Sequence, residues 1–139
     1  MSSSRVEIGR EAVYWQPAPS GVTGSTPTAL LLHGMCHGAY DFWPCSDQMP
    51  DGVGLPEEAN LVRALRTRGY RVVAMSSADR DRKAWNPLRD APRIEAAVTS
   101  LLAQEGATEA PLIVIGAYLT RREDGVRARR RRGAAAARE

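Results

Sequence analysis

Three short apolar runs limit the possible folds of this 139-residue chain more than anything else in it: Ala29-Leu30-Leu31-Leu32, Val72-Val73-Ala74-Met75, which follows Arg71, and Leu112-Ile113-Val114-Ile115. Each has strand length, and each is continuously apolar rather than alternating, the pattern of a strand buried on both faces. Two helical patterns separate them. In the first, Pro56 suits the opening helical position, Glu57 and Glu58 complement the positive end of the helix dipole, and Gly69 supplies the stop. Its inward face is Leu61, Val62 and Leu65. The second is expected from about Pro92, with Asp90 or Ala91 near its cap and Gly106 at its close; Ile94, Val98, Leu101 and Leu102 form one apolar stripe. Strand, helix, strand, helix, strand predicts an α/β fold, a parallel sheet with helices on its faces. Upstream, Val6-Glu7-Ile8 and Ala12-Val13-Tyr14-Trp15 are β-prone and flank Gly9-Arg10-Glu11, compatible with a hairpin or two edge strands. Residues 17 to 27, rich in Pro, Gly, Ser and Thr, read as a surface loop.

In such sheets ligands gather at the carboxyl ends of the strands. His33-Gly34, Ser76-Ser77 and Gly116-Ala117 lie at those ends, so His33, His37, Ser76, Ser77 and Gly116 are expected to line one shared crevice. The third strand is expected to be buried, yet the sequence after Ala117 offers no amphipathic stripe to cover it, so one of its edges is expected to lack a neighbour.

Charge divides the chain in two. Residues 121 to 139 hold eight arginines against three acidic residues, a local balance of +5 within a whole-chain charge of +3, which leaves −2 for the rest. Basicity therefore belongs to the tail, and any reading toward nucleic acid rests there rather than on a folded basic face. The expected organisation is a partial domain over 1–117 followed by an Arg/Ala-rich tail, 118–139, that is disordered or loosely helical. A shifted reading frame, a retained intron or an alternative exon in GC-rich DNA would produce such a run. No apolar stretch approaches the ~20 residues of a membrane helix and the start lacks a secretory core, so the default expectation is a cytoplasmic chain with no membrane span. Cys36 and Cys45 define no disulfide framework.

Neither the dinucleotide pattern G-x-G-x-x-G nor the phosphate loop G-x-x-x-x-G-K-[ST] occurs, and no cofactor is expected. His33, Cys36, His37 and Cys45 are zinc-type ligands, but their H-x2-C-H-x7-C spacing matches no common zinc site, and no metal is expected. Asp79 with Arg80 and Arg82 is read as a local ion-pair cluster, and Trp43 and Trp85 as packing residues.

Three motifs remain: His33-Gly34-Met35-Cys36-His37-Gly38-Ala39-Tyr40-Asp41-Phe42-Trp43, Gly54-Leu55-Pro56-Glu57-Glu58 and Ser76-Ser77-Ala78-Asp79-Arg80. In this order and spacing, over roughly Thr28 to Ala117, the chain resembles the amino-terminal half of the α/β-hydrolase superfamily. The likeness is to poorly characterised plant, algal and bacterial serine-hydrolase-like members with an H-G-x-x-H-x-A-x-x-W loop, whose last position is Phe42 here with Trp43 one residue further on, a G-L-P-E-E helix start and an S-S-x-D-R turn. The resemblance implies an incomplete α/β-hydrolase-type sheet. It also implies an oxyanion hole, the set of backbone N–H groups that stabilises charge on an attacked carbonyl, with Gly34 and Met35 as candidates. The nucleophile elbow of that family reads G-x-S-x-G on a sharp strand-to-helix turn. Here Gly116 fits the first position, Tyr118 stands in place of serine and Thr120 in place of the second glycine. Leu119 would be the second oxyanion donor. The family's acid and histidine follow the nucleophile, and this sequence has no histidine after His37. A phenol of pKa near ~10 without a paired base is a poor nucleophile at neutral pH.

The resemblance therefore leads to a truncated hydrolase-like chain, related to serine esterases and inactive as it stands, whose small ester-like substrate belongs only to complete relatives. A reading from another class stands beside it: a noncatalytic α/β domain whose tail binds nucleic acid or an anionic surface weakly and without sequence preference.

Overall fold

A computed structural model describes residues 4–9, 11–19 and 26–116. The chain opens with a hairpin, β1 (Ser4–Ile8) and β2 (Glu11–Gln16), and continues into β3 (Thr28–Leu32). A single 3₁₀ turn, Ala39–Phe42, then leads to a second hairpin, β4 (Pro44–Ser46) and β5 (Met49–Val53). Helix α1 (Pro56–Thr67), β6 (Arg71–Met75), α2 (Pro87–Gln104) and β7 (Leu112–Gly116) complete the described order. Five strands join one sheet in the order β1-β2-β6-β3-β7.

The expected parallel strands are present: β6, β3 and β7 run parallel, with Leu30 opposite Val73 on one side and Val114 on the other. The whole sheet is mixed, because β2 pairs antiparallel with both β1 and β6. Of the two arrangements open at the N-terminus, the hairpin is the one formed, with Val6 opposite Val13.

Continuous apolarity in β3 and β6 serves two cores. Ala29, Leu31, Val72 and Ala74 face one way and meet Val62 and Leu65 of α1, together with Phe42 and Trp43. Leu30, Val73 and Met75 face the other way and meet Ala97, Val98, Leu101 and Leu102 of α2. This follows from the period of two along a strand. Stepping from β3 to β6 and then back past β3 to β7 reverses the direction of travel across the sheet. Crossovers of one hand then place α1 and α2 on opposite faces.

Four expectations need correction. First, β7 is not buried: Leu112, Ile113 and Val114 are exposed, and only Ile115 packs partly against the core. Neither helix reaches far enough across the sheet to cover it, and among the described residues its sole ladder partner is β3. Second, α2 begins at Pro87, five residues before Pro92. Its cap is Asn86, whose side chain accepts from the N–H groups of Leu88 and Arg89, and Pro92 lies inside the helix, where its missing N–H leaves the Leu88 carbonyl without its i+4 donor. Third, the β4–β5 hairpin was not foreseen, since two prolines and exposed polar residues hide it. Gly54 leaves it with φ +65, and a Cβ there would stand 2.7 Å from the Pro44 Cα, so the exit requires glycine. Fourth, Asp79 forms no ion pair with a guanidinium among the described residues. Its carboxylate accepts the Arg82 backbone N–H at 2.9 Å, while Arg80 lies 5.9 Å from the centre of the Tyr40 ring.

Helix α1 agrees with its sequence signals at both ends, with Pro56 in its first turn and Gly69 just beyond it at φ +88. No helix of the described residues is long and apolar enough to cross a membrane. Ala117, Tyr118, Leu119, Thr120 and the rest of the 118–139 tail lie outside the described residues.

Candidate functional site

The exit of β3 is organised around His33, a buried side chain with both ring nitrogens engaged. Its Nδ1 lies 2.7 Å from the Gly34 carbonyl, and its Nε2 accepts the Ser77 N–H at 2.9 Å. An acceptor at Nε2 requires the proton to sit on Nδ1, so the ring is neutral. Burial lowers the pKa further, outweighing the opposing hydrogen bond to Gly34. The Trp85 ring lies 4.6 Å away, centre to centre, and its indole N–H donates to the His33 carbonyl at 2.7 Å. His33 thus braces the β3 exit to the β6 exit.

Beyond it the chain makes a tight turn in which the His37 N–H donates to the Gly34 carbonyl at 3.2 Å. Cys36 takes φ +69 at the position where such a turn favours glycine, a local strain of order 1–2 kcal/mol. Among the described residues the Met35 N–H meets no protein acceptor. His37, partly exposed, contacts Asp41 at 3.1 Å, and Asp41 also accepts the Gly38 N–H at 2.9 Å. Cys36 and Cys45 are both exposed and unpaired.

The three strand exits do not open into one crevice as expected. They open into two hollows. The smaller, of about 140 Å³, holds Leu32, His33, Gly34 and Ile115 with Phe42, Leu61, Glu57 and Glu58. The larger, of about 600 Å³, takes Ser76 and Ser77 with residues from the first and second hairpins. Met35, His37 and Gly116 line neither, so the structure brings His33 and Gly34 to one site and the two serines to another. Gly116 instead lies against β3, where a Cβ would approach that of Leu32 to 3.3 Å. Ser76 Oγ accepts the Ala39 N–H at 2.9 Å, and Ser77 Oγ donates to the Asp79 carbonyl at 3.3 Å. Neither hydroxyl contacts a histidine ring, so neither is activated by one.

The larger hollow rests on a charged frame built from residues far apart in the chain. Arg93 of α2 spends all five of its N–H donors: two on the Glu11 carboxylate, one on Asp90 at 2.7 Å and two on the Ser76 carbonyl at 3.2 Å. The Glu11 contact is the main reason its pKa is raised. Asp90, buried, also accepts the N–H groups of Ala78 and Asn86, each at 2.7 Å, so it fixes the β6 exit to the start of α2. On the opposite wall the Tyr14 hydroxyl donates to Asp51, and Arg5 stands over the Tyr14 ring at 5.9 Å. Burial, followed by the bond to Asp51, pushes the Tyr14 pKa up to about 12, so this phenol is a donor and not a base. Glu11 and Arg93 stand 82 residues apart in sequence, a separation no local motif marks. The Asn86-Pro87 pair was the one readable signal nearby, since Asn caps helices and Pro favours the first turn.

Among the described residues no three His, Cys, Asp or Glu side chains form a group able to hold a metal ion. No family model, curated protein or solved structure matches the chain.

Proposed function

We propose that this chain carries an α/β-hydrolase-like domain without a working nucleophile, related in design to serine esterases and silent in acyl transfer. The observation that carries this reading is the register of β3 and β7, in which Leu32 stands opposite Gly116. The start of the His33-Gly34-Met35 loop and the end of β7 at Gly116 therefore lie side by side at the carboxyl edge of the sheet. That is the arrangement an oxyanion hole needs, because one N–H comes from the loop after the third strand and the other from the nucleophile turn. The free Met35 N–H and the small hollow beside His33 and Gly34 favour the same reading.

The missing chemistry supports the silent half of it. By spacing, Tyr118 takes the nucleophile's place. His33 has both nitrogens committed, and His37 is turned to Asp41, so neither described histidine is placed to take a proton from a nucleophile. A fluorophosphonate probe and a generic aryl ester test this on the full chain. No labelling and no turnover above the buffer rate are expected. Labelling by pure protein that Tyr118→Phe abolishes would overturn the proposal.

A second reading, a noncatalytic domain with a polyanion-binding tail, is favoured by the concentration of charge in residues 121 to 139. It requires duplex DNA binding that weakens steeply and linearly on a log scale as salt rises. It places no requirement on the probe.

A further inference from the structure

We propose that the larger hollow, which takes no part in the oxyanion arrangement beside His33, binds a small organic acid with one carboxylate and a compact apolar body. Arg80 and the Ser76 hydroxyl, at the exit of β6, hold the carboxylate.

At about 600 Å³ the hollow falls within the range of small-molecule sites, about 300–1,000 Å³. Its walls are fixed before any ligand arrives. Arg93 ties Glu11 and Asp90 to the Ser76 carbonyl on one side, and the Tyr14 hydroxyl is bonded to Asp51 on the other. Ala12, Val53 and Ala78, with the Tyr14 and Tyr40 rings, add the apolar surface that a ligand's body needs.

The polar groups of the lining divide into matched and unmatched. Both carboxylates are matched, Glu11 by Arg93 and Asp51 by the Tyr14 hydroxyl and by Arg5 at 3.5 Å. Arg80 is unmatched. Among the described residues it forms no ion pair, and its hydrogen bonding is a long contact of 3.5 Å to the Ser77 carbonyl. Ser76 stands beside that contact in the chain. Its Oγ accepts the Ala39 N–H at 2.9 Å, which leaves the hydroxyl proton to donate. A guanidinium fork next to a hydroxyl suits a carboxylate, which takes two parallel N–H bonds and still has lone pairs for an O–H.

The number of charges sets the ligand's charge. Three arginines and two acids line the hollow, a surplus of one positive charge that a monoanion neutralises and a dianion overshoots. Lys83 strengthens the local field without lining the hollow. Its ammonium lies 5.6 Å and the Arg80 guanidinium 5.9 Å from the centre of the Tyr40 ring. Contact with Tyr40 is the main reason the Lys83 pKa is raised, and the nearby Arg80 charge opposes it. Asp41 acts on Lys83 more weakly and is already engaged by the Gly38 N–H and His37.

Amide NMR titration of the full chain with phenylacetate, phenyl phosphate and the neutral phenylacetamide tests this. Phenylacetate is expected to give saturable shifts at residues 76–80, phenyl phosphate to bind more weakly and the amide to give no shifts there. Arg80→Gln is expected to weaken phenylacetate binding at least about tenfold. Arg82→Gln, which removes a neighbouring cation outside the lining, is expected to leave it unchanged. The comparison of the three probes uses the unsubstituted chain, so it does not depend on the folding of either variant. Shifts that never saturate, equal binding of the neutral amide, tighter binding of phenyl phosphate than of phenylacetate, or unchanged binding by a folded Arg80→Gln chain would each overturn the proposal.

Discussion

The two edges of the five-stranded sheet are finished by different means. At one edge β1 alternates in burial along Ser4–Ile8, and Arg5 and Glu7 pair at 2.7 Å on its exposed side. The Arg5 N–H also reaches the Gln48 carbonyl at 3.2 Å, so the β4–β5 turn covers part of that rim. At the other edge β7 shows an uncharged strand with most of its side chains exposed. The first edge is tied inward as well, through Glu11 to Arg93 on α2 and through Tyr14 to Asp51 on β5. Strand composition, then, does not decide burial. Leu30 and Leu31 in β3 and Leu112 and Val114 in β7 are similar residues, and only the strands and helices beside them set their exposure.

The largest effect is expected at the tied edge. Arg93→Ala leaves the Glu11 carboxylate and the buried Asp90 without their cation and should cost about 3 kcal/mol in denaturant unfolding. A loss under about 1 kcal/mol, the range of an exposed ion pair, would show that the tie adds little and the two edges are alike.

The next effect concerns the brace between the edges and depends on pH. The folded-state pKa of His33 is lowered, chiefly by burial, so the unfolded chain binds the proton more readily. The stability from neutral His33 is therefore fully present above about pH 6.5 and is lost as pH falls through the lowered folded-state value, at no more than about 1.4 kcal/mol per pH unit. In paired unfolding curves at pH 7.5 and at pH 5, the advantage of the native chain over His33→Gln should narrow at the lower pH. An advantage that widens on acidification would refute the assignment of Nε2 as an acceptor.

The smallest effect belongs to the open edge. Leu112→Ala should change stability by less than about 0.5 kcal/mol, as exposed positions do. A cost of 2 kcal/mol or more, the usual range for a buried leucine, would mean that β7 is covered.

Legibility from sequence followed the range of the interactions. The strands β3 and β6 and both ends of α1 were readable, because Pro56, Gly69 and runs of aliphatic residues act within a few positions of themselves. The start of α2 was misplaced because Pro92 drew the boundary to itself, although Asn86-Pro87 carried the better signal. The β4–β5 hairpin was hidden by its lack of apolar residues, Met49 being its only buried one. Of the candidate site, His33, Gly34 and the two serines were named, but their division between two hollows was not. That division depends on Ser77, Asp90 and Arg93 meeting groups from distant segments.

The strand order also sets the tempo of assembly. Val13 pairs with Met75 and Thr28 with Leu112, so every ladder except the two hairpins joins segments far apart in the chain. On the ribosome the β1–β2 hairpin can form at once, while β3 emerges before either of its neighbours has been made. Non-local pairing of this kind places folding toward the millisecond-to-second range rather than the microsecond range of helical bundles. The whole apolar length of β3 must therefore wait in the nascent chain until residue 116 is clear.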